Sequence, residues 1–215
     1  MELETIKRSM LFRNMDEEEI KQSLFAMDAE ERTYQKDEII LCAGDTTDKM
    51  GLVLSGGVTI ETVDPWGNRS ILSHVGPGHL FAEVFALLEK EPILVDVQVS
   101  QACQIMFLRP KRIEGCTEPW SAKLMRNLLQ ISLNKNLNLS SRSYHTAPKT
   151  SRGRIMAYLS AMSIRAHSRE FDIPFDRQQL ADYLNLERSA LSKELSKMRR
   201  DGLLEFRKNH FVLKE

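Results

Sequence analysis

The fold is decided by residues 171–213, which read FDIPFDRQQLADYLNLERSALSKELSKMRRDGLLEFRKNHFVL. Asp176 precedes a short apolar-periodic segment, and Gln179 follows three residues later, a spacing that predicts a capping box at a helix start. Asn185 suits the left-handed conformation that a tight turn requires. A second helix is then predicted from Glu187 to Arg200. Two short helices joined by such a turn form a helix-turn-helix unit.

The second helix is predicted to be amphipathic. Its inward face is expected to consist of Ala190, Leu191, Leu195 and Met198. Its outward face carries polar and basic residues near the N-terminal end, where recognition helices meet base edges. These residues are Arg188, Ser189, Ser192 and Lys193. Arg188 is the leading base reader, because its guanidinium can donate twice to guanine, whereas Lys193 can serve a base or a phosphate.

A β-hairpin with a basic tip is predicted after the second helix. Gly202 suits the end of that helix, and apolar residues alternate over 203–206 and 210–213, on either side of Arg207, Lys208 and Asn209. Such a hairpin is typical of a wing. The capping box, turn, basic face and wing occur in the order of a winged helix-turn-helix, which indicates binding to double-stranded DNA.

The charge of the chain is divided between its two parts. The whole chain carries 30 Lys and Arg against 30 Asp and Glu, and 42% of its residues are hydrophobic, which is ample for packed cores. Residues 148–215 carry 14 basic and 9 acidic residues, so the preceding residues carry 16 and 21. The basic C-terminal part therefore suggests a polyanionic partner, and an ordinary solvated surface is the equal alternative for this charge excess alone.

Residues 31–108 consist of short apolar runs between Gly, Pro, Asn and Asp, a pattern that predicts an all-β barrel or sandwich. The turn residues Asp64-Pro65-Trp66-Gly67-Asn68 predict a hairpin. In the strand before them, one face is expected to carry Val58, Ile60 and Thr62, and the other Thr59, Glu61 and Val63. Helices are predicted over Leu3–Phe12 and Asp16–Met27, the second with a capping box formed by Asp16 and Glu19.

A long helix is predicted from Trp120 to Ser140, a segment without Gly or Pro. One apolar stripe consists of Leu124, Leu128 and Ile131, and an adjacent stripe consists of Met125, Leu129, Leu133 and Leu137. Two stripes need two surfaces: one is the β domain, and the other is a second copy of the helix, which predicts a homodimer. The alternative is a helix buried wholly within one monomer. After Pro148, a further helix is predicted from Thr150 to His167.

The sequence shows no sign of export or membrane insertion. The N-terminal residues lack a long apolar region and no run of about 18 apolar residues occurs, so a cytoplasmic protein without membrane contact is expected. Cys42, Cys103 and Cys116 are odd in number and contain no C-x-x-C pair, so neither a disulfide framework nor a dedicated metal motif is predicted. No cofactor is expected, and redox sensing is the alternative role of these thiols.

From about residue 5 to residue 213, the chain resembles the Crp/Fnr family of bacterial transcription regulators. The resemblance is carried by Gly44-Asp45, Asp48, and the segments 51–58 and 76–83, which look like the jelly-roll glycines and cyclic-nucleotide cassette of that family. It implies an α+β fold. Its segments are an N-terminal antiparallel β jelly-roll sensor domain (1–118), a long central dimerisation helix (119–146) and a C-terminal winged helix-turn-helix domain (147–215).

The resemblance also implies partners and residue roles. A homodimer binds a pseudo-palindromic operator, responds to a small-molecule effector and can contact RNA polymerase. Arg177 and Gln178 match phosphate-contacting positions, and Arg188, Ser189 and Lys193 match base-reading positions. Ser189 stands where the family commonly has a Glu that accepts a hydrogen bond from cytosine, so a different target sequence is expected.

The sensor domain departs from family members that bind cyclic AMP. Those members use a Gly-Glu pair for the ribose and a downstream Arg for the cyclic phosphate. Here Ala82 precedes Glu83, and residues 91–96 read EPILVD, which contains no cation. A phosphate beside Glu91 and Asp96 would meet repulsion instead of charge-assisted hydrogen bonds, so no cyclic-nucleotide binding is expected.

An apolar pocket beneath the central helix is the remaining candidate effector site. It would be lined by Phe81, Glu83, Phe85, Leu87, Leu94 and Leu128. The alternative is that these side chains simply fill the β domain. An iron–sulfur sensor would need a Cys cluster before Cys42. A haem sensor would need His74, His79 or Cys103 as an axial ligand, and a metal site at His79 and Glu83 has equally little support.

Two functions of other classes remain open. An enzyme of the cupin type would need a closely spaced His pair with a carboxylate, whereas His74 and His79 are five residues apart and the β domain has no third His. No enzymatic activity is therefore expected. A winged helix can instead dock a protein, in which case replacing Arg188 and Lys193 by Ala would leave duplex binding unchanged.

Overall fold

A computed structural model of the protein describes residues 3–63, 66, 69–88 and 90–214. The chain divides into two compact units, Met1–Leu133 and Asn134–Glu215, so the boundary lies inside the central helix. Each unit has its own buried core. The division into three functional segments stays a prediction. In the structure, residues 134–146 at the end of the central helix belong to the C-terminal unit.

Two helices precede the sheet of the first unit, α1 (Leu3–Arg8) and α2 (Glu17–Ala26). The predicted capping box of α2 is confirmed: the Asp16 carboxylate accepts from the Glu19 amide at 2.9 Å, and the Glu19 carboxylate accepts from the Asp16 amide at 3.0 Å. The prediction of one helix over Leu3–Phe12 is wrong. Ser9 is extended, caps a separate 3-10 turn and donates its hydroxyl to the Gly78 carbonyl at 2.8 Å.

The first unit is built on an antiparallel sheet. Its strands are β1 (Glu30–Tyr34), β2 (Ile39–Leu41), β3 (Met50–Val63), β4 (Arg69–Val75), β5 (Leu80–Phe81) and β6 (Asp96–Leu108). The order is β1-β6-β3-β4, with β2 paired to β6 and β5 paired to β3. The short helix α3 (Glu83–Leu88) follows β5. This architecture confirms the predicted antiparallel jelly-roll domain.

Strands β3 and β4 form the predicted hairpin, from Val58 opposite Val75 to the end of β3. The turn Asp64–Asn68 that indicated it lies outside the described residues, except for Trp66. The simple alternation predicted for β3 is wrong at Thr59 and Glu61, which are both buried. Strand β3 is paired on both sides and has a register shift after Ile60, so polar side chains are enclosed there.

The core of the first unit consists of two clusters of buried side chains. One lies between the helices and the sheet and includes Phe12, Leu24 and Trp120. The other lies within the sheet and includes Phe81. A Cβ at Gly51 would lie 2.1 Å from the Phe81 ring, so only glycine allows β3 to approach it this closely.

The central helix α4 spans Pro119–Thr146, and therefore extends beyond the predicted end at Ser140. Its first stripe packs into the core as predicted. The second stripe is exposed, and we call Met125, Leu129, Leu133 and Leu137 the exposed α4 stripe. At about 100° per residue, Leu124 and Leu133 lie about 180° apart, so the two stripes occupy opposite faces rather than adjacent ones.

The second unit combines the end of α4 with helices and a small sheet. Its further elements are α5 (Ser151–Ala166), β7 (Glu170–Asp172), α6 (Arg177–Tyr183), α7 (Arg188–Arg200), β8 (Leu204–Arg207) and β9 (His210–Leu213). Thr150 caps α5 and a left-handed His167 ends it, as predicted for that helix. The sheet order is β7-β9-β8. Strand β7 was not predicted from the sequence, because its three residues are too few to show a period.

Candidate nucleic-acid interface

Helices α6 and α7 form the predicted helix-turn-helix. Asp176 caps α6 in a reciprocal capping box with Gln179, with hydrogen bonds of 2.8 and 2.9 Å. Asn185 is left-handed, with φ of 52°. The amides of Asn185 and Leu186 donate back to carbonyls in the last turn of α6. This Schellman pattern ends α6 and directs the chain into α7.

The inward face of α7 consists of Leu191, Leu195 and Met198, all fully buried in the core of the second unit. The prediction that Ala190 shares this face is wrong, because Ala190 is exposed. At about 100° per residue it lies outside the arc of the three buried side chains. The helix begins at Arg188, and Glu187 is its N-cap residue without a side-chain hydrogen bond.

The outward face of α7 presents unengaged polar and basic groups in its first turns. Arg188, Ser189 and Lys193 are exposed and Ser192 is half-buried. Within the described part of the chain, none of these four side chains has a hydrogen-bond or ion-pair partner. Lys197, Arg199 and Arg200 add positive charge further along the helix. The face can therefore accept a polyanion without first breaking internal contacts.

Two of the residues expected to contact phosphate are engaged within the protein. Arg177 donates from Nη2 to the Lys208 carbonyl at 3.1 Å, and its guanidinium lies 5.1 Å from the centre of the Phe206 ring. Burial lowers the pKa of Arg177. Gln178 donates from Nε2 to Asp182 Oδ1 at 2.8 Å. Their role at phosphates stays a prediction, while in this structure Arg177 holds the wing against α6.

The wing is a hairpin of β8 and β9 joined at Lys208 and Asn209. Lys208 is exposed and left-handed, with φ of 56°. Asn209 anchors the tip by donating from Nδ2 to the Ile173 carbonyl at 3.2 Å. Lys208 and Arg177 border a cleft of about 470 Å³ between the start of α6 and the tip. The predicted basic tip is thus present, and the cleft has two cations at its edge.

Replacing Arg177 with Ala is expected to loosen the wing. The change removes one hydrogen bond and the contact of a cation with Phe206, so the free energy of unfolding should fall by about 1–2 kcal/mol. Hydrogen–deuterium exchange over 204–213 should become faster in the same variant. Gln178→Ala is the matched control, since its exposed side chain is expected to change stability by less than about 0.5 kcal/mol. Equal exchange in both variants would contradict the role given to Arg177.

The segment that resembles a cyclic-nucleotide cassette has a left-handed residue directly before its glutamate. Ala82 has φ of 59°, a left-handed conformation that glycine adopts without strain. Glu83 follows at the start of α3 and is 3% exposed. In residues 91–96, Ile93 is buried, and Asp96 accepts a hydrogen bond from the Ala43 amide at 2.8 Å. A carboxylate therefore occupies the segment where the resemblance calls for an arginine.

The six residues expected to line an effector pocket do not share one environment. Phe81 belongs to the cluster within the sheet, whereas Leu128 belongs to the cluster between the helices and the sheet. Leu94 is 74% exposed, and Phe85 is half-buried. Leu94 cannot line a pocket beneath α4 from this position, because its side chain faces water. The packing of Phe81 and Leu128 fits the alternative, in which such side chains fill the core.

The described residues were also compared with what metal binding and membrane insertion require. Over residues 3–63, 66, 69–88 and 90–214, no group of three or more His, Cys, Asp or Glu side chains is arranged to hold a metal ion. In the same residues, no helix has both the length and the apolar character needed to cross a membrane.

Two family models match the chain. Residues 31–118 match a cyclic nucleotide-binding domain, and residues 153–215 match a Crp-like helix-turn-helix domain. Together the two models cover more than two thirds of the sequence.

Individual proteins and solved structures are also similar to this chain over most of its length. The transcriptional activator protein FnrL of Cereibacter sphaeroides is 23% identical over 192 residues, which cover 85% of this chain and 75% of FnrL. Catabolite activator protein from Thermus thermophilus has a similar structure, with a TM-score of 0.51 and 23% identity over 96% of this chain and 94% of that one. CprK complexed with OCPA has a TM-score of 0.63 at 12% identity, over 90% and 88% of the two chains. The structural likenesses support the fold.

Proposed function

Since the chain belongs to the Crp/Fnr family of transcription regulators, we propose that it binds a pseudo-palindromic operator as a homodimer. The observation that carries the proposal is the outward face of α7. There, Arg188, Ser189 and Lys193 are exposed, and the described residues offer them no partner. Arg188 reads a guanine and Lys193 a base or phosphate, while Ser192 and the wing-tip Lys208 bind the DNA backbone.

The homodimer is supported by the exposed α4 stripe. Its side chains lie on the face of α4 opposite the core, where Leu129 is 60% exposed and Leu133 is 59% exposed. An apolar stripe along one helix is suited to a second copy of itself, because the same spacing on two helices lets the side chains interdigitate. A two-fold dimer then matches the two-fold symmetry of a palindromic operator.

The effector of this regulator is a small molecule other than cyclic AMP. Titration calorimetry with cyclic AMP and cyclic GMP is expected to show no binding at micromolar concentrations, because residues 91–96 supply no cation for the cyclic phosphate. The same preparation must bind its operator, which shows that the protein is folded. A micromolar or tighter dissociation constant for either nucleotide would contradict this prediction.

The cellular location of the protein follows from its proposed partner, double-stranded DNA. A regulator works where the DNA is, so we assign the protein to the cytoplasm and expect contact with RNA polymerase when the operator adjoins a promoter.

The proposed function is tested by selecting duplexes from a random pool with the full-length protein. We expect a recovered palindrome with half-sites about one helical turn, roughly 34 Å, apart. Arg188→Ala together with Lys193→Ala is the matched variant and should lose the selected sequence while remaining folded. Recovery of unrelated sequences by the native protein would contradict the proposal. Equal duplex binding by the native protein and the variant would also contradict it, and would indicate that the winged helix docks a protein instead.

A further inference from the structure

The C-terminal end of α6 is held by side chains from other helices. The last carbonyls of a helix have no partners within it. The backbone of the turn satisfies the carbonyls of Ala181 and Asp182. The next three carbonyls, those of Tyr183, Leu184 and Asn185, accept hydrogen bonds from arginine side chains.

Arg142 of α4 is the first of these arginines. Its Nε donates to the Tyr183 carbonyl at 3.2 Å, and its Nη2 donates to the Asp182 carbonyl at 3.2 Å and to Asn185 Oδ1 at 3.3 Å. The guanidinium also lies 5.8 Å from the centre of the Tyr183 ring. A cation at this end of a helix is further favoured by the helix dipole. Arg142 thus binds both the end of α6 and the turn into α7.

Arg154 of α5 is the second arginine. Its Nη1 donates to the Leu184 carbonyl at 3.2 Å and to the Asn185 carbonyl at 3.0 Å, and its Nε donates to the Pro148 carbonyl at 2.9 Å. None of these acceptors lies on α4. The two arginines therefore hold one turn from two different helices, which makes each a control for the other.

His145 adds a second contact between α4 and α6. It lies one turn from Arg142 and is 3% exposed, and its Nδ1 is 2.9 Å from the Tyr183 hydroxyl oxygen. The aromatic rings around it are those of Tyr144, Tyr158 and Tyr183. Burial, with a smaller effect from the charge of Arg165, lowers the pKa of His145. His145 therefore packs the end of α4 against α5 and α6.

We propose that Arg142 is a positioning residue for DNA recognition, which couples the C-terminal half of α4 to the recognition helix α7. This inference rests on the proposed function, in which α4 joins the two protomers. A palindromic operator requires two recognition helices at a fixed separation. A dimer supplies that separation only if each recognition helix is firmly attached to the helix at the dimer interface. Arg142 makes this attachment, whereas Arg154 stabilises the turn without involving α4.

The first test compares Arg142→Ala with Arg154→Ala in the full-length protein. The selected operator is synthesised with its half-site spacing changed by one and two base pairs, and affinities are measured by fluorescence anisotropy. The native protein should lose at least about tenfold in affinity for the altered spacings. Arg142→Ala should bind all spacings within about threefold of one another. Arg154→Ala should bind every duplex more weakly and keep the native spacing preference.

Arg142→Lys separates charge from geometry. It keeps the positive charge but loses the planar fork of donors, so its spacing preference is expected to fall between those of the native protein and Arg142→Ala. A purely structural effect would instead lower the melting temperature and the affinity for every spacing in parallel.

The second test requires no DNA. In hydrogen–deuterium exchange, Arg142→Ala should speed exchange over both 138–146 and 182–190, whereas Arg154→Ala should speed it over 182–190 alone. A native spacing preference in Arg142→Ala, or unchanged exchange over 182–190, would overturn the inference. Failure of the native protein to select a palindrome would instead overturn the proposed function, and the exchange result would still decide whether Arg142 holds the turn.

Discussion

Replacing Leu129 and Leu133 together with Glu is expected to convert the proposed homodimer into monomers. The two side chains are 60% and 59% exposed on the face of α4 opposite the core. Burying a fully exposed leucine contributes about 1.5–3 kcal/mol, so the exposed three-fifths of four leucines from two protomers contribute about 4–7 kcal/mol. That is about half of the 8–12 kcal/mol that a micromolar to nanomolar dimer requires. Four carboxylates in the same seam would also repel one another, so the loss should be complete at micromolar protein.

The same double variant is expected to lose more than about a hundredfold in operator affinity, because two linked half-site contacts become two independent ones. Sedimentation equilibrium gives the mass, and fluorescence anisotropy gives the affinity. Leu94→Glu is the matched control, since Leu94 is 74% exposed and lies outside α4. A double variant that sediments as a dimer would show that the exposed α4 stripe is not the interface.

The helix-turn-helix could be predicted from the sequence because its signals are local. Asp176 and Gln179 satisfy each other within one helical turn, and Asn185 needs no distant partner to adopt its left-handed conformation. The start of α2 is marked in the same way by Asp16 and Glu19. Features of this kind are fixed by residues three or four apart, which a single sequence displays directly.

The features that sequence analysis missed depend on residues that are distant in the chain. The internal contact of Arg177 exists because the wing returns to α6 and brings the Lys208 carbonyl within 3.1 Å. Strand β7 exists because β9 pairs with it. Ser9 interrupts the first helix because Gly78 accepts its hydroxyl. No short-range pattern reports these pairings, so residue type alone favoured a surface arginine, a loop and a continuous helix.

The predicted effector pocket also depends on distant contacts that the sequence does not display. The sequence correctly indicated apolar residues around the cassette, but an apolar side chain can line a cavity or fill a core. Only packing separates the two, and it places Phe81 and Leu128 in different clusters and Leu94 in water. The loss of the arginine, in contrast, was visible in the sequence because it concerns the type of residue and not its environment.

The second large effect on operator affinity is expected from a substitution in the recognition helix α7. Arg188→Ala is expected to lower affinity for the selected operator by about 30-fold to 10⁴-fold, since a bidentate contact to guanine contributes about 1–3 kcal/mol and a dimer makes it twice. Preference for the guanine should disappear, while binding to unrelated duplexes falls only slightly. Competition against operators substituted at one position measures both effects.

Lys208→Ala supplies the contrasting control for that experiment. If the wing-tip lysine binds phosphate, its loss should weaken binding to all duplexes alike and reduce the salt dependence, with a slope smaller by about one per protomer. Base preference should stay as it was. An equal loss of sequence preference in Lys208→Ala and Arg188→Ala would contradict the division between backbone and base contacts.

Ser189→Glu is expected to change the sequence that the protein selects. Ser189 is exposed in the first turn of α7, next to Arg188, and within the described residues its hydroxyl has no partner. A glutamate there can accept a hydrogen bond from the amino group of cytosine, so selection with the variant should enrich cytosine at one position of each half-site. The added negative charge should also weaken non-specific binding. Selection of an unchanged operator by this variant would show that position 189 does not face the bases, and would leave Arg188 and Lys193 as the base-reading pair.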